Sequence, residues 1–329
     1  MTHATGPALF IALALAAVAT GCSERGQETL TSLPAKPNPT GPAERLEDVA
    51  AWSDRERGIE TVYVAAGPRG LDVHRADGSH LQRLGSTPAA FVVLLEGMAV
   101  DHALADFIVT VDPDARTFRG FEIHGATGGL RRIARSRGNP LETVTALCSY
   151  RAADGSQRLI MATAEPALIE WSLSAVSGKI RGRANEIVST QLRRATLAAG
   201  ASDCAVDART GAVLLLDAEG RLRRIAGRWG DTVVPERVPG QSGAPLRGIA
   251  IVAREARPAV LLATTSDGRV RALTPAGEKI GEIAVDIPGR MLSAEGSLLA
   301  FVDDARTQLR LAPLAEALRL LGVSRERAR

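Results

Sequence analysis

The sequence predicts an all-β fold: a six-bladed β-propeller behind a cleaved signal peptide and a Pro-rich linker. Three recurring patterns predict it. Short apolar segments fall at Asp48–Trp52, Gly97–Asp101, Val144–Tyr150, Ser202–Asp207, Arg247–Val252 and Gly289–Ala294. Behind each comes a strongly apolar strand, such as Phe107-Ile108-Val109-Thr110 or Val213-Leu214-Leu215-Leu216. Such runs suit strands buried on both faces. Alternating hairpins then close on Gly78, Gly128, Gly178, Gly220 and Gly277, at spacings of 50, 50, 42 and 57 residues. A repeat of that length is the mark of propeller blades, one blade per repeat.

The elements follow in chain order. Ala8 to Ala19 is an apolar run of 12 residues. It is too short to span a bilayer and suits a signal-peptide core. It ends in Ala19-Thr20-Gly21-Cys22, small residues before a Cys, which resembles a bacterial lipobox. Residues 1–21 are therefore read as a lipoprotein-type signal peptide and Cys22 as the lipidated residue. Residues 22–45 carry Pro34, Pro37, Pro39 and Pro42 among polar residues and read as a tether. Residues 46–322 hold the propeller. Leu314 to Leu321 has helical spacing and reads as a short closing helix. Residues 323–329 form a basic tail with Arg325, Arg327 and Arg329. This organisation implies an exported monomer, held in the bacterial cell envelope by its lipid.

Composition narrows the function. The chain has 40 Lys+Arg against 37 Asp+Glu, and aromatics are only 3%. A basic stripe interleaved with stacking aromatics is the footprint of nucleic-acid binding. No such stripe is visible, so nucleic acid is not an expected partner. The five histidines (His3, His74, His80, His102, His124) show no metal-ligand spacing. No serine sits in a nucleophile elbow, and no βαβ unit offers a dinucleotide site. Asp112-Pro113-Asp114 reads as a turn. Cys148 and Cys204 sit in apolar inner-strand patterns. They read as buried free thiols, with a disulfide open to an exported chain.

The blade contents, in order, resemble those of the β-propeller phytases across nearly the whole domain. Glu47-Asp48-Val49-Ala50-Ala51-Trp52 is similar to the Asp-Asp-Pro-Ala-Ile-Trp that opens that family. Gly70-Leu71-Asp72-Val73-His74-Arg75-Ala76-Asp77-Gly78 resembles its Gly-Leu-x-Val-Tyr-x-Leu-Asp-Gly hairpin. Ala146-Leu147-Cys148-Ser149-Tyr150, Asp203-Cys204-Ala205-Val206-Asp207 and Gly248-Ile249-Ala250-Ile251 resemble its inner strands. The resemblance implies calcium-dependent hydrolysis of phosphate monoesters of inositol. Such a substrate is densely anionic, so Ca²⁺ held by carboxylates would offset its charge and activate water. The implied Ca²⁺ ligands are Glu47, Asp48, Asp101, Glu165 and Asp217.

Several positions depart from the family pattern. Its Lys before the first Gly-Leu falls at Gly67 or Pro68, and Thr163-Ala164-Glu165 lacks another Lys. Two family Glu positions become Ser202 and Arg247, and Asp203 stands beside the first. Arg247 and His102 are therefore read as substrate-binding groups. Two functions follow: a 3-phytase-like phosphomonoester hydrolase with weakened or lost activity, or a non-catalytic envelope propeller. The second would recruit an envelope protein or an anionic phosphorylated ligand.

Overall fold

A computed structural model describes residues 29–30, 33–34 and 45–323, apart from short stretches at 55–58, 86, 139–140, 179–181, 228, 240, 242, 253–257, 287–288, 296–297 and 304–307. Six largely antiparallel sheets follow one another along the chain. The inner strands are Asp48–Asp54, Val92–Val100, Val144–Arg151, Ala201–Asp207, Leu246–Val252 and Gly289–Glu295. Each pairs with a second strand of the apolar type predicted. Ala212–Asp217 in blade 4 and Val260–Thr265 in blade 5 are buried at every residue. Burial on both faces follows from position: each second strand is covered by the sheets before and after it.

Six apolar cores fill the six seams between blades. The last joins Val49, Ala51 and Tyr63 of blade 1 to Ala300, Val302 and Leu311 of blade 6, which closes the ring. Closure also uses the segment read as a tether. Leu33–Pro34 pairs antiparallel with Leu309–Pro313 as the outer strand of blade 6. Thr29–Leu30 pairs in parallel with the outer strand of blade 5, Lys279–Val285. Leu30 is fully buried against Leu314, Ala317 and Leu321 of the closing helix region. The helix spans Leu314–Leu320. It docks so tightly that a Cβ on Gly281 would lie 2.1 Å from the Leu321 carbonyl oxygen.

Two sequence expectations shift. The inner strand of blade 2 begins at Val92, not Gly97, because Glu96 and Gly97 form a bulge between Leu95 and Met98. Gly97 has φ +60°, and a Cβ there would meet the Arg151 guanidinium at 2.5 Å. The Gly220 turn joins the second and third strands of blade 4, Ala212–Asp217 and Leu222–Ile225, rather than its outer pair. The glycine after the third strand is Gly227. With it, the positions 78, 128, 178, 227 and 277 fall at nearly even spacing.

Cys148 and Cys204 are not free thiols. They form a disulfide between the inner strands of blades 3 and 4, with Cα atoms 5.7 Å apart. Neighbouring inner strands converge on the axis and so bring the two thiols within bonding reach.

Candidate functional site

All six inner strands line one central channel of about 600 Å³. Its wall is mostly Ala, Val, Leu and Ile, with the disulfide set into it. The acid groups on this wall come from the ends of strands. Asp48 heads the inner strand of blade 1. Its Oδ1 accepts the N–H of Val49 at 2.8 Å, and its Oδ2 accepts the N–H of Val92 in blade 2 at 3.0 Å. Asp203 repeats the arrangement in blade 4. It accepts the N–H of Cys204 at 2.8 Å and that of Ile249 in blade 5 at 2.8 Å. Each carboxyl therefore clasps its own blade to the next. Blades 1 and 4 lie opposite each other in a ring of six, so the two groups face across the channel.

Both are half-buried and partly open to the channel. Burial pushes Asp203 up to about 7 against the N–H groups of Ile249 and Cys204. Burial pushes Asp48 up to about 8, with the nearby Asp203 and Glu47 adding to the rise against the N–H groups of Val92 and Val49. Desolvation disfavours the charged form.

The residues predicted as ligands are spread over both ends of the blades. Glu47 adjoins Asp48 and pairs with Arg45 at 3.1 Å. Glu165 is exposed at the turn between the second and third strands of blade 3. Asp217 ends the second strand of blade 4, where its Oδ1 caps a turn by accepting the N–H groups of Glu219 and Arg221. Its Oδ2 accepts from Arg221 Nε at 3.0 Å and Arg223 Nε at 3.2 Å. Burial alone would raise Asp217, but those hydrogen bonds and charges lower it overall. Arg247 is half-buried at the bulge between Leu246 and Gly248 that opens the inner strand of blade 5.

Asp101 and His102 lie at the opposite end, in the turn that follows the inner strand of blade 2. Asp101 accepts from Ser177 Oγ at 2.7 Å and from the Gly182 N–H at 3.3 Å, tying this turn to a hairpin of blade 3. The inner strand runs from Val92 to Val100, so these residues stand past its far end, away from Asp48. Among the described residues, no group of three or more His, Cys, Asp or Glu could hold a metal ion. Cys22 lies outside the described residues.

Sequence reasoning noted Asp203 beside a lost family position but did not name it among the ligands. The available signal was its match to Asp48: an acid followed by apolar residues at the head of an inner strand. A second polar group was also missed, at the far end of the channel. Tyr150 donates to Glu170, and Arg193 donates to the other oxygen of the same carboxylate. The Arg193 guanidinium stacks 4.0 Å over the ring of Trp229. Burial, then the bond to Glu170, pushes the Tyr150 phenol up to about 12. At neutral pH it is therefore a hydrogen-bonding phenol rather than a base.

Fold and channel define a six-bladed β-propeller. No family model matches the chain, and no curated protein matches it. Solved structures do. U3-55K is similar at 10% identity over 88% of this chain and 100% of its own, with a TM-score of 0.53. BBS1N in complex with ARL6DN is similar at 12% identity over 87% of this chain and 98% of its own, with a TM-score of 0.48. The likeness to U3-55K is one of fold, and all the chemistry must be argued from this chain's own residues.

Proposed function

We propose that this chain is an exported, lipid-anchored binding propeller of the cell envelope, and that the phytase-like scaffold has lost its hydrolytic chemistry. One observation carries the reading. The carboxylates that calcium-dependent hydrolysis would need are occupied in structural roles at two different ends of the blades. Asp48 clasps two blades, Asp217 caps a turn between two arginines, and Asp101 ties two hairpins. Ca²⁺ takes six to eight oxygen ligands, so a set divided in this way would serve it poorly. The Cys148–Cys204 disulfide supports an oxidising compartment, in keeping with the leader that ends at Cys22. Recruitment of another envelope protein is the expected role, and the acidic head of the channel weighs against a phosphorylated ligand inside it.

The test is phosphate release from phytate and from a simple phosphomonoester, with Ca²⁺ added. The expected result is no release above that of the Glu47→Ala/Asp48→Ala double variant. Release by the natural chain that the double variant abolishes would overturn the proposal and restore the hydrolase.

A further inference from the structure

Sheltered carboxylates in this fold are repeatedly matched with a guanidinium. Asp72 is held by Arg83, Asp112 by Arg119, Glu122 by Arg131, Glu170 by Arg193, and Glu282 by Arg271 and Arg269. Asp217 is held by two arginines. Asp48 and Asp203 differ: among the described residues, their only hydrogen bonds come from backbone N–H groups. They are also the two that face each other across a cavity. A carboxylate can accept about four hydrogen bonds. Each accepts two here, so both retain acceptor capacity toward the channel.

We propose that the central channel binds a small organic cation, an ammonium group carried on an apolar body, with the ammonium between Asp48 and Asp203. The ammonium supplies the positive charge that arginine supplies elsewhere in the fold, and its three donors match the free lone pairs. The apolar body packs along Val93, Leu147, Ala205 and Ile251. A channel of about 600 Å³ lies within the usual range for small-molecule sites. A hydrated divalent cation fits less well, since two carboxylates on an aliphatic wall leave most of its coordination unfilled.

Other charged groups shape the channel. Glu47 adjoins Asp48 and reinforces the negative end. Tyr150, Asp207 and Arg209 lie toward the other end, where Asp207 is spent on the turn through the N–H of Arg209 and the hydroxyl of Thr210. Arg247 stands at the head of the neighbouring inner strand. Because burial favours protonated carboxyls at Asp48 and Asp203, cation binding near neutral pH must displace protons into solution.

The inference deepens the binding-propeller reading by naming a ligand class, and it is tested separately from it. The probe is benzylamine, with benzyl alcohol as its neutral counterpart, titrated calorimetrically into the purified full chain in two buffers of different ionisation enthalpy. Benzylammonium is expected to bind, raise the melting temperature and release protons, and benzyl alcohol to do none of these. Asp48→Asn/Asp203→Asn is expected to weaken binding at least tenfold. Equal binding of the alcohol, amine binding without proton release, or undiminished binding by the double variant would each overturn the proposal. Stabilisation by Ca²⁺ that benzylamine competes away would overturn it in favour of a metal site. Should the double variant fail to fold, the proton release of the natural chain still decides. Failed amine binding leaves the binding-propeller reading intact, and phosphate release overturns that reading alone.

Discussion

Blade 4 holds two sheltered aspartates in opposite electrostatic states. Asp217 ends the second strand and is lowered below the usual carboxylate range by Arg221 and Arg223 in spite of its burial. Asp203 stands near the start of the inner strand and is pushed up to about 7, with backbone N–H groups as its hydrogen-bond donors among the described residues. The two positions lie near the same end of one sheet, since Asp203 pairs with Leu216, the neighbour of Asp217. What differs is the surroundings. The outer part of the blade offers long cationic side chains on the adjacent strand, while the inner strand faces a ring of aliphatic residues. Which strand each of these two acids stands on thus decides whether an arginine reaches it.

The seam on the other side of the same strand gives a scale for the clasp. Cys204 follows Asp203, and bonds to blade 3 where Asp203 reaches blade 5. The disulfide closes a loop across a sequence separation of 56. Chain-entropy reasoning values such a loop at about 4 kcal/mol. Replacing Cys148 and Cys204 together by Ser should therefore lower unfolding stability most, by several kcal/mol in urea titration. A loss no larger than that of Asp203→Asn would mean that clasp and disulfide are equivalent seams.

The next effect separates the two aspartates. Asp217→Ala removes an ionised group from between two arginines and uncaps a turn, which should cost about 3 kcal/mol. Asp203→Asn replaces a group favoured in its neutral form but leaves one oxygen for the two N–H groups of Cys204 and Ile249, so it should cost about 1–2 kcal/mol near pH 6. Equal losses at the two sites would break the contrast. The pH dependence sharpens it further. Asp48 and Asp203 bind protons more tightly folded than unfolded. Their contribution is full below the unfolded carboxylate range and is lost as pH rises through about 7 to 8. Asp72, Asp217 and Glu282 are lowered in the fold, so theirs is present above the unfolded value and is lost as pH falls through the folded one. Stability should peak in mildly acidic solution and decline as pH rises toward 8. Asp48→Asn/Asp203→Asn should flatten that alkaline decline and leave the acid one unchanged.

Much of this architecture was legible in the sequence because burial leaves a strong pattern. Strands covered on both faces, such as Ala212–Asp217, read as nearly unbroken apolar runs, here Ala212 to Leu216. Inner strands in five of six blades began within a residue or two of expectation, and the closing helix stood as its spacing implied. The failures share a cause: they depend on where an extra residue or a distant strand goes. The inner strand of blade 2 takes in Val92–Leu95 and the Glu96–Gly97 bulge, which leaves Asp101 and His102 in the turn at its far end. Gly220 looked like the earlier hairpin glycines but serves a different turn. Leu30 reads as one apolar residue in a polar segment, and only the ring it closes explains its burial. The site was the least legible part, because Asp48 and Asp203 acquire their meaning from facing each other across the axis. That relation joins blades 1 and 4 and leaves no local trace beyond a matching strand head.

The smallest expected effect tests how fully the two ends of the blades are separated. Asp101 has φ +55°, a conformation in which Asn is at ease and Ala is strained. It is exposed, and its bonds to Ser177 and the Gly182 N–H are surface ties. Asp101→Asn should change stability by only about 0.5 kcal/mol, and Asp101→Ala by about 1 kcal/mol. Neither should alter benzylamine binding or its proton release, because Asp101 stands at the end of the inner strand away from Asp48. Calorimetry on Asp101→Asn checks this directly. If the variant lost a Ca²⁺-dependent rise in melting temperature shown by the natural chain, Asp101 would belong with the channel acids after all, and the contrast between the two ends would fall.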